Sequence, residues 1–117
     1  FIVPVPLARQ RVRQRGYNQS EMLAQGISQI TGLKVKRKLI RRIVNTETQT
    51  HKDRWERADN VNRAFKLVGR LPNAGCHVLF VDDVVTTGAT LCACIACLSG
   101  IPNIKVSVLS VGVALTR

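Results

Sequence analysis

Two neighbouring carboxylates, Asp82 and Asp83, are followed at once by Val84, Val85, Thr86, Thr87, Gly88, Ala89 and Thr90. No other stretch of the chain is as well equipped for chemistry. Adjacent acids can hold sugar hydroxyls or a metal ion. Threonine hydroxyls and outward-pointing backbone amides supply donors for a phosphate, and a helix N-terminus adds partial positive charge. A turn that only caps a helix also accounts for the threonines. It leaves two acids at the end of a buried strand, at a cost and without a use.

The flanking elements place this stretch. Val78-Leu79-Phe80-Val81 reads as a buried central strand. Leu91, Cys94, Ile95 and Leu98 follow the i, i+3, i+4, i+7 helical pattern, ended by Gly100 and Pro102. Strand, acids, turn and helix in this order is where open α/β sheets seat ligands.

The remainder of the chain alternates strands with helices. Phe1 to Pro6 reads as a short buried strand closed by proline. Arg9, Arg11, Arg13 and Arg15 then alternate strictly, between a strand end and a helix start. That position suits either a ligand contact or a solvated loop. Asn18 with Glu21 three residues on marks a helix N-terminus. The helix runs to about Ile30, with Met22, Leu23, Ile27 and Ile30 as its expected buried side and Thr31-Gly32 as its C-cap.

Lys34 to Val44 mixes six basic residues with apolar ones, and its second half predicts a strand with an exposed basic side. Asn45 to Gln49 reads as a loop, and Thr50 to Val61 as a short helix carrying Trp55, Ala58 and Val61. Ala64 to Val68 predicts a strand, Leu71 to Gly75 a turn, and Val106 to Val113 a further interior strand. The expected fold class is therefore α/β, a mainly parallel sheet flanked by helices in a single domain. The glycine pattern of a dinucleotide fold and the Gly-Lys-Ser/Thr of a P-loop are both missing.

Charge sharpens this picture. Of 117 residues, 18 are basic and 7 acidic, a net charge of +11. Residues 1–70 hold 16 of the basic and 5 of the acidic residues, so they carry the whole excess, and residues 71–117 are neutral. A neutral core region thus follows a basic one suited to anionic ligands or nucleic acid. No apolar stretch is long enough for a membrane span. With no secretory signal, the four cysteines are expected to be free thiols in a reducing cytoplasm. Phe1 in place of Met, with a strand beginning at once, reads as a fragment.

With these segments in view the match narrows. Val3-Pro4-Val5-Pro6-Leu7, Arg15-Gly16-Tyr17-Asn18-Gln19-Ser20, Thr46 to Gln49, Arg57 with Asn60-Val61, and Ala64-Phe65 precede the acid–turn stretch in order. The stretch itself resembles the 5-phosphoribosyl-1-pyrophosphate (PRPP) motif of type I phosphoribosyltransferases. The whole set resembles the ComF family, phosphoribosyltransferase-like proteins associated with natural competence and DNA uptake; a gluconate-utilisation relative belongs to the same group.

The resemblance implies a type I phosphoribosyltransferase-like fold and a site that binds PRPP with Mg²⁺. Val85, Thr86, Thr87, Gly88, Ala89 and Thr90 would cradle the 5-phosphate, and Asp82 and Asp83 would hold the ribose hydroxyls. Asp83 is also a candidate base. Leu7, Ala8 and Arg9 would hold pyrophosphate, with Arg11, Lys52 and Arg54 as further candidates for neutralising its charge. A solvated helix start accounts for Lys52 and Arg54 equally well. Gln49 is a candidate substrate contact. Mg²⁺ would be bound mainly through PRPP, with Asp82 and Asp83 as its possible protein ligands.

Relatives usually carry an N-terminal cysteine-rich zinc-binding segment and a further basic helix, absent from this chain. Where many have Leu-Ser after the loop glutamine, this chain has Thr50-His51-Lys52-Asp53. Homodimers are common among type I relatives.

Three functions follow from the resemblance and the charge. They are phosphoribosyl transfer to an acceptor, PRPP binding without turnover, and DNA binding through the basic face of residues 9–42. The cysteines add little. On a helix Cys92 and Cys94 point in nearly opposite directions, so three of the thiols cannot converge on a metal. His51 and His77 are isolated, and His77 is expected at a strand edge.

Overall fold

The computed structural model describes residues 1–7, 14, 16–43, 64–72 and 75–114. The helix expected between Thr50 and Val61 and the loop before it lie outside these residues. In chain order the elements are β1 (Ile2–Pro4), α1 (Gln19–Thr31), β2 (Ile40–Arg42), β3 (Phe65–Leu67), β4 (His77–Val85), α2 (Ala89–Ala96) and β5 (Lys105–Val113).

β4 is the centre of a parallel sheet ordered β1-β4-β5. It pairs with β1 from Ile2↔Leu79 to Pro4↔Val81, and with β5 from His77↔Lys105 to Val85↔Val113. A parallel bridge between Ile2 and Val35 widens the sheet beyond β1, held by Ile2 N–H to Lys34 O and Lys36 N–H to Ile2 O, both 2.8 Å. The expected α/β class is thus present, with helices in both crossovers. β2 and β3 form a separate antiparallel pair, Ile40↔Leu67 to Arg42↔Phe65.

Alternation along β4 divides the core in two, because successive strand side chains take opposite faces. Val78 and Phe80 pack with Val3, Leu39, Phe65, Leu91, Cys94 and Leu98. Val81 packs with Ile2 and Ala24, against which Leu23, Ile27, Val35 and Leu79 lie. A strand covered on both faces must be apolar nearly throughout, as the run Val78–Val81 is. Among the described residues no helix is long and apolar enough to cross a membrane.

Three expectations are corrected. The buried side of α1 is Ser20, Leu23, Ala24 and Ile27, whereas Met22 is 57% and Ile30 88% exposed. Small Ser20 and Ala24 bring the helix close to the sheet, and that selects their stripe over the one bearing Met22. β4 does not stop before the acids. It continues through Asp82 and Asp83 to Val85, since ladder bonds to β5 are made by backbone whatever the side chain. Among the described residues β5 has no neighbour beyond it, and Val108, Leu109, Val111 and Val113 are exposed, so within these residues it stands at the sheet's edge and not in its interior.

Candidate functional site

Both borders of α1 follow from its sequence. Asn18, in extended conformation, accepts the amide of Ser20 on its side-chain oxygen at 3.0 Å. Gly32 closes the helix in the left-handed region, with its N–H on Ser28 O. Asn18 also reaches backwards, donating from Nδ2 to Val5 O at 3.2 Å. Val5 N–H in turn donates to Val81 O at 2.9 Å. Asn18 and Val5 are thereby tied together, beside the residue that precedes Asp82.

At the carboxyl end of β4 lies a small recess open to solvent. Asp82, Val84 to Thr90 and Leu91 line it. Gly88 is the N-cap of α2 with φ +81°, and Cys92 N–H donates to its carbonyl at 2.9 Å. A Cβ added there would meet nothing within 4 Å, so the left-handed backbone, and not crowding, is what calls for glycine. Thr87 Oγ1 accepts the Ala89 amide at 3.2 Å. The first-turn amides of Thr90 and Leu91 have no acceptor within the helix and are turned towards its open end. Anions favour such a place.

The two acids are not equivalent. Asp82 lines the recess and Asp83 does not. Asp82 Oδ1 accepts the Asp83 amide at 2.9 Å and the Ser20 hydroxyl at 3.4 Å. Asp83 Oδ1 accepts the Val84 amide at 2.8 Å. The Asp83 side chain also lies within hydrogen-bond reach of the Asp82 carboxyl. Burial pushes the Asp82 carboxyl above its usual value, and its hydrogen bond with and the charge of Asp83 push the same way. The Asp83 amide and Ser20 act against them. Adjacent carboxylates are hard oxygen donors of the kind a Mg²⁺ ion takes while keeping most of its shell as water or phosphate.

The structure thus gathers Asp82 with all six cradle residues. Leu7, half-buried, stands two residues past Val5. Ala8, Arg9, Arg11, Gln49, Lys52 and Arg54 lie outside the described residues. Two contributors were missed in the sequence. Leu91, buried and lining the recess, was read only as core. Ser20 was read only as part of the helix start, although a small polar residue in register with Ala24 and Ile27 on an apolar stripe was the available signal.

All four cysteines are free thiols. Cys92 is exposed and Cys94 buried, on opposite sides of α2. Burial raises the Cys94 thiol to about 12, helped by neighbouring Cys97 and Asp82. His77 opens β4, exposed, with Nε2 2.7 Å from Ser107 Oγ. Among the basic residues, Lys36 donates to Arg70 O and lies over the Phe1 ring, and Arg37 pairs with Glu21 at 3.0 Å. Lys34, Lys38 and Arg41 are exposed.

Fold and site define a class: an α/β domain with a parallel sheet and a strand–turn–helix recess at the carboxyl end of its central strand. The chain is 42% identical over 90 residues to DNA utilization protein YhgH of Salmonella typhimurium. It is 37% identical over 91 residues to Competence protein F of Haemophilus influenzae, and 32% over 103 to Competence protein ComFC of Bacillus subtilis. These alignments cover 77%, 77% and 83% of this chain, and 39%, 40% and 37% of those proteins. The chain therefore spans about two fifths of the length of the curated relatives it matches. Their names and identities support the ComF family as the kin of this chain. No family model matches it, and no solved structure matches it.

Proposed function

We propose that the chain is a phosphoribosyltransferase-like domain of the ComF type, which binds PRPP with Mg²⁺ and transfers its phosphoribosyl group to an acceptor. The observation that carries this reading is the meeting of Asp82 with the turn Val85–Thr90 in one recess. The turn takes the 5-phosphate on backbone amides and threonine hydroxyls, at the positive end of α2. Asp82 then holds a ribose hydroxyl, with Asp83 as the second acid. Phosphoribosyl transfer breaks the C1–pyrophosphate bond through a cationic, oxocarbenium-like state. Orienting the ribose is accordingly the chief task of the protein side chains. Mg²⁺, held mainly by PRPP with Asp82 and Asp83 available to it, would offset the leaving group's charge.

Calorimetric titration with PRPP and Mg²⁺ tests binding. Asp82→Asn should weaken it at least about tenfold, the order expected for a charged hydrogen-bond acceptor. Equal affinity in the variant overturns the assignment. Release of pyrophosphate on adding candidate bases or amines separates transfer from binding alone.

The relatives' names favour a second reading, a DNA-handling role, to which exposed Lys34, Lys38 and Arg41 would contribute phosphate contacts. Such binding falls steeply with salt. DNA affinity that is flat between low and high salt counts against it.

A further inference from the structure

A closed circuit of bonds surrounds Asp82. Val81 O accepts Val5 N–H, and Val5 O accepts Asn18 Nδ2. Asn18 Oδ1 accepts Ser20 N–H, and Ser20 Oγ donates to Asp82 Oδ1, one residue along from Val81. Within this circuit the side chain of Ser20 is the link that touches the acid. At 4% exposure it is the buried polar residue of the described core, set on the stripe that α1 turns to the sheet. Its amide already serves the cap, so the hydroxyl is not needed there.

We infer that Ser20 is a positioning residue: with the Asp83 amide it occupies one oxygen of Asp82, so that the other is offered to the ligand in the recess. A carboxylate torsion is broad and roughly two-fold when nothing holds it. Two donors on Oδ1, from the chain ahead and from α1, remove that freedom. The Ser20 bond is long at 3.4 Å, and its strength comes from where the circuit puts it. Asn18 locks the start of α1 to Val5, and Val5 is locked to Val81. The backbone of Ser20 is thereby held beside Asp82, within reach of its hydroxyl.

This rests on the PRPP reading for its ligand, though not for the contact itself. Four proteins test it: wild type, Ser20→Ala, Asp82→Ala and the double variant. Alanine is the best helix former and smaller than serine, so α1 tolerates the change. In the wild-type background Ser20→Ala should weaken PRPP–Mg²⁺ binding about fivefold, the size of an ordinary hydrogen bond, as befits a contact of 3.4 Å. In the Asp82→Ala background it should change affinity less than twofold. Ser20→Thr, which keeps the hydroxyl, should recover most of the loss. Inorganic phosphate, which needs only the cradle, should bind Ser20→Ala as it binds wild type. An equal loss in both backgrounds, or threonine no better than alanine, overturns the role.

The same four proteins unfolded in urea decide the contact without a ligand. Non-additive midpoints support it and additive ones overturn it. Failure of the wild type to bind PRPP would sink the proposed function, and the urea cycle would still decide on Ser20.

Discussion

Asn18 donates from Nδ2 to the carbonyl oxygen of Val5, 3.2 Å away across thirteen residues, while its Oδ1 accepts the Ser20 amide at 3.0 Å. One side chain thus starts a helix and ties that start to the end of a strand. Removing it costs both. Asn18→Ala should lower stability by about 2 kcal/mol, roughly 1 for the cap and 1 for the tie. Asn18→Asp, which keeps the acceptor and loses the donor, should cost about half of that. Urea denaturation followed by circular dichroism separates them, and equal losses would remove the tie from the account.

Asp82 gives a pH dependence with a definite sign. Its carboxyl lies above the ordinary 3.8, first because it is buried and then through Asp83. A carboxyl that holds its proton more tightly in the fold contributes stability below the unfolded value. That contribution is lost as pH rises through the folded value. Asp82→Asn stays neutral and still offers an oxygen to Ser20 and to the Asp83 amide. It should melt close to wild type below about pH 4 and above it at about pH 7. A wild type that melts higher than the variant at neutral pH would contradict the sign. The acid is then kept at a cost to stability, as expected of a functional group.

Gly88 carries φ +81° with open space where a side chain would stand. The penalty for substitution is therefore conformational alone, about 1–2 kcal/mol for Gly88→Ala. Gly88→Asn should cost less, because asparagine tolerates the left-handed region. Thermal melts in the absence of ligand read this directly. A larger loss, or the opposite order, would point to contacts that the free space does not show.

The thiols on α2 should differ sharply in reactivity. Cys92 is exposed, and Cys94 is buried with its thiol raised to about 12. At about pH 8 only on the order of one Cys94 in ten thousand is a thiolate, the reacting form. Iodoacetamide should label Cys92 at least about a hundredfold faster in the native protein, with the difference lost in urea. Peptide mass spectrometry locates the label. Comparable native rates would mean that α2 opens from the sheet.

What could be read in the sequence was whatever is decided locally. Asn18 and Gly32 border α1 because capping depends on a few adjacent groups. The Val78–Val81 run marks a central strand because burial on both faces leaves no room for polar residues. What escaped was decided by distant parts. An apolar strand such as β5 does not say how many neighbours it has, so its place at the edge could not be read from Val106–Val113. Met22 and Ile30 looked more buried than Ser20 and Ala24 because hydrophobicity, not closeness of approach, was the visible quantity. Asp82 and Asp83 read alike in the sequence, yet only Asp82 lines the recess. The partner of Ser20 lies 62 residues away, beyond any local pattern.

β4 is hydrogen-bonded on both sides and ends in the recess. A ligand seated at that end rests on the one strand whose loss dissolves the sheet, so its binding energy is added to the energy of unfolding the domain. At a hundred times its dissociation constant such a ligand adds about 2.7 kcal/mol, a shift in melting of roughly ten degrees or more for a domain of this size. The heat at which the chain melts is therefore a gauge of what it holds. Unknown acceptors and competitors can be ranked by melting curves before any reaction is known.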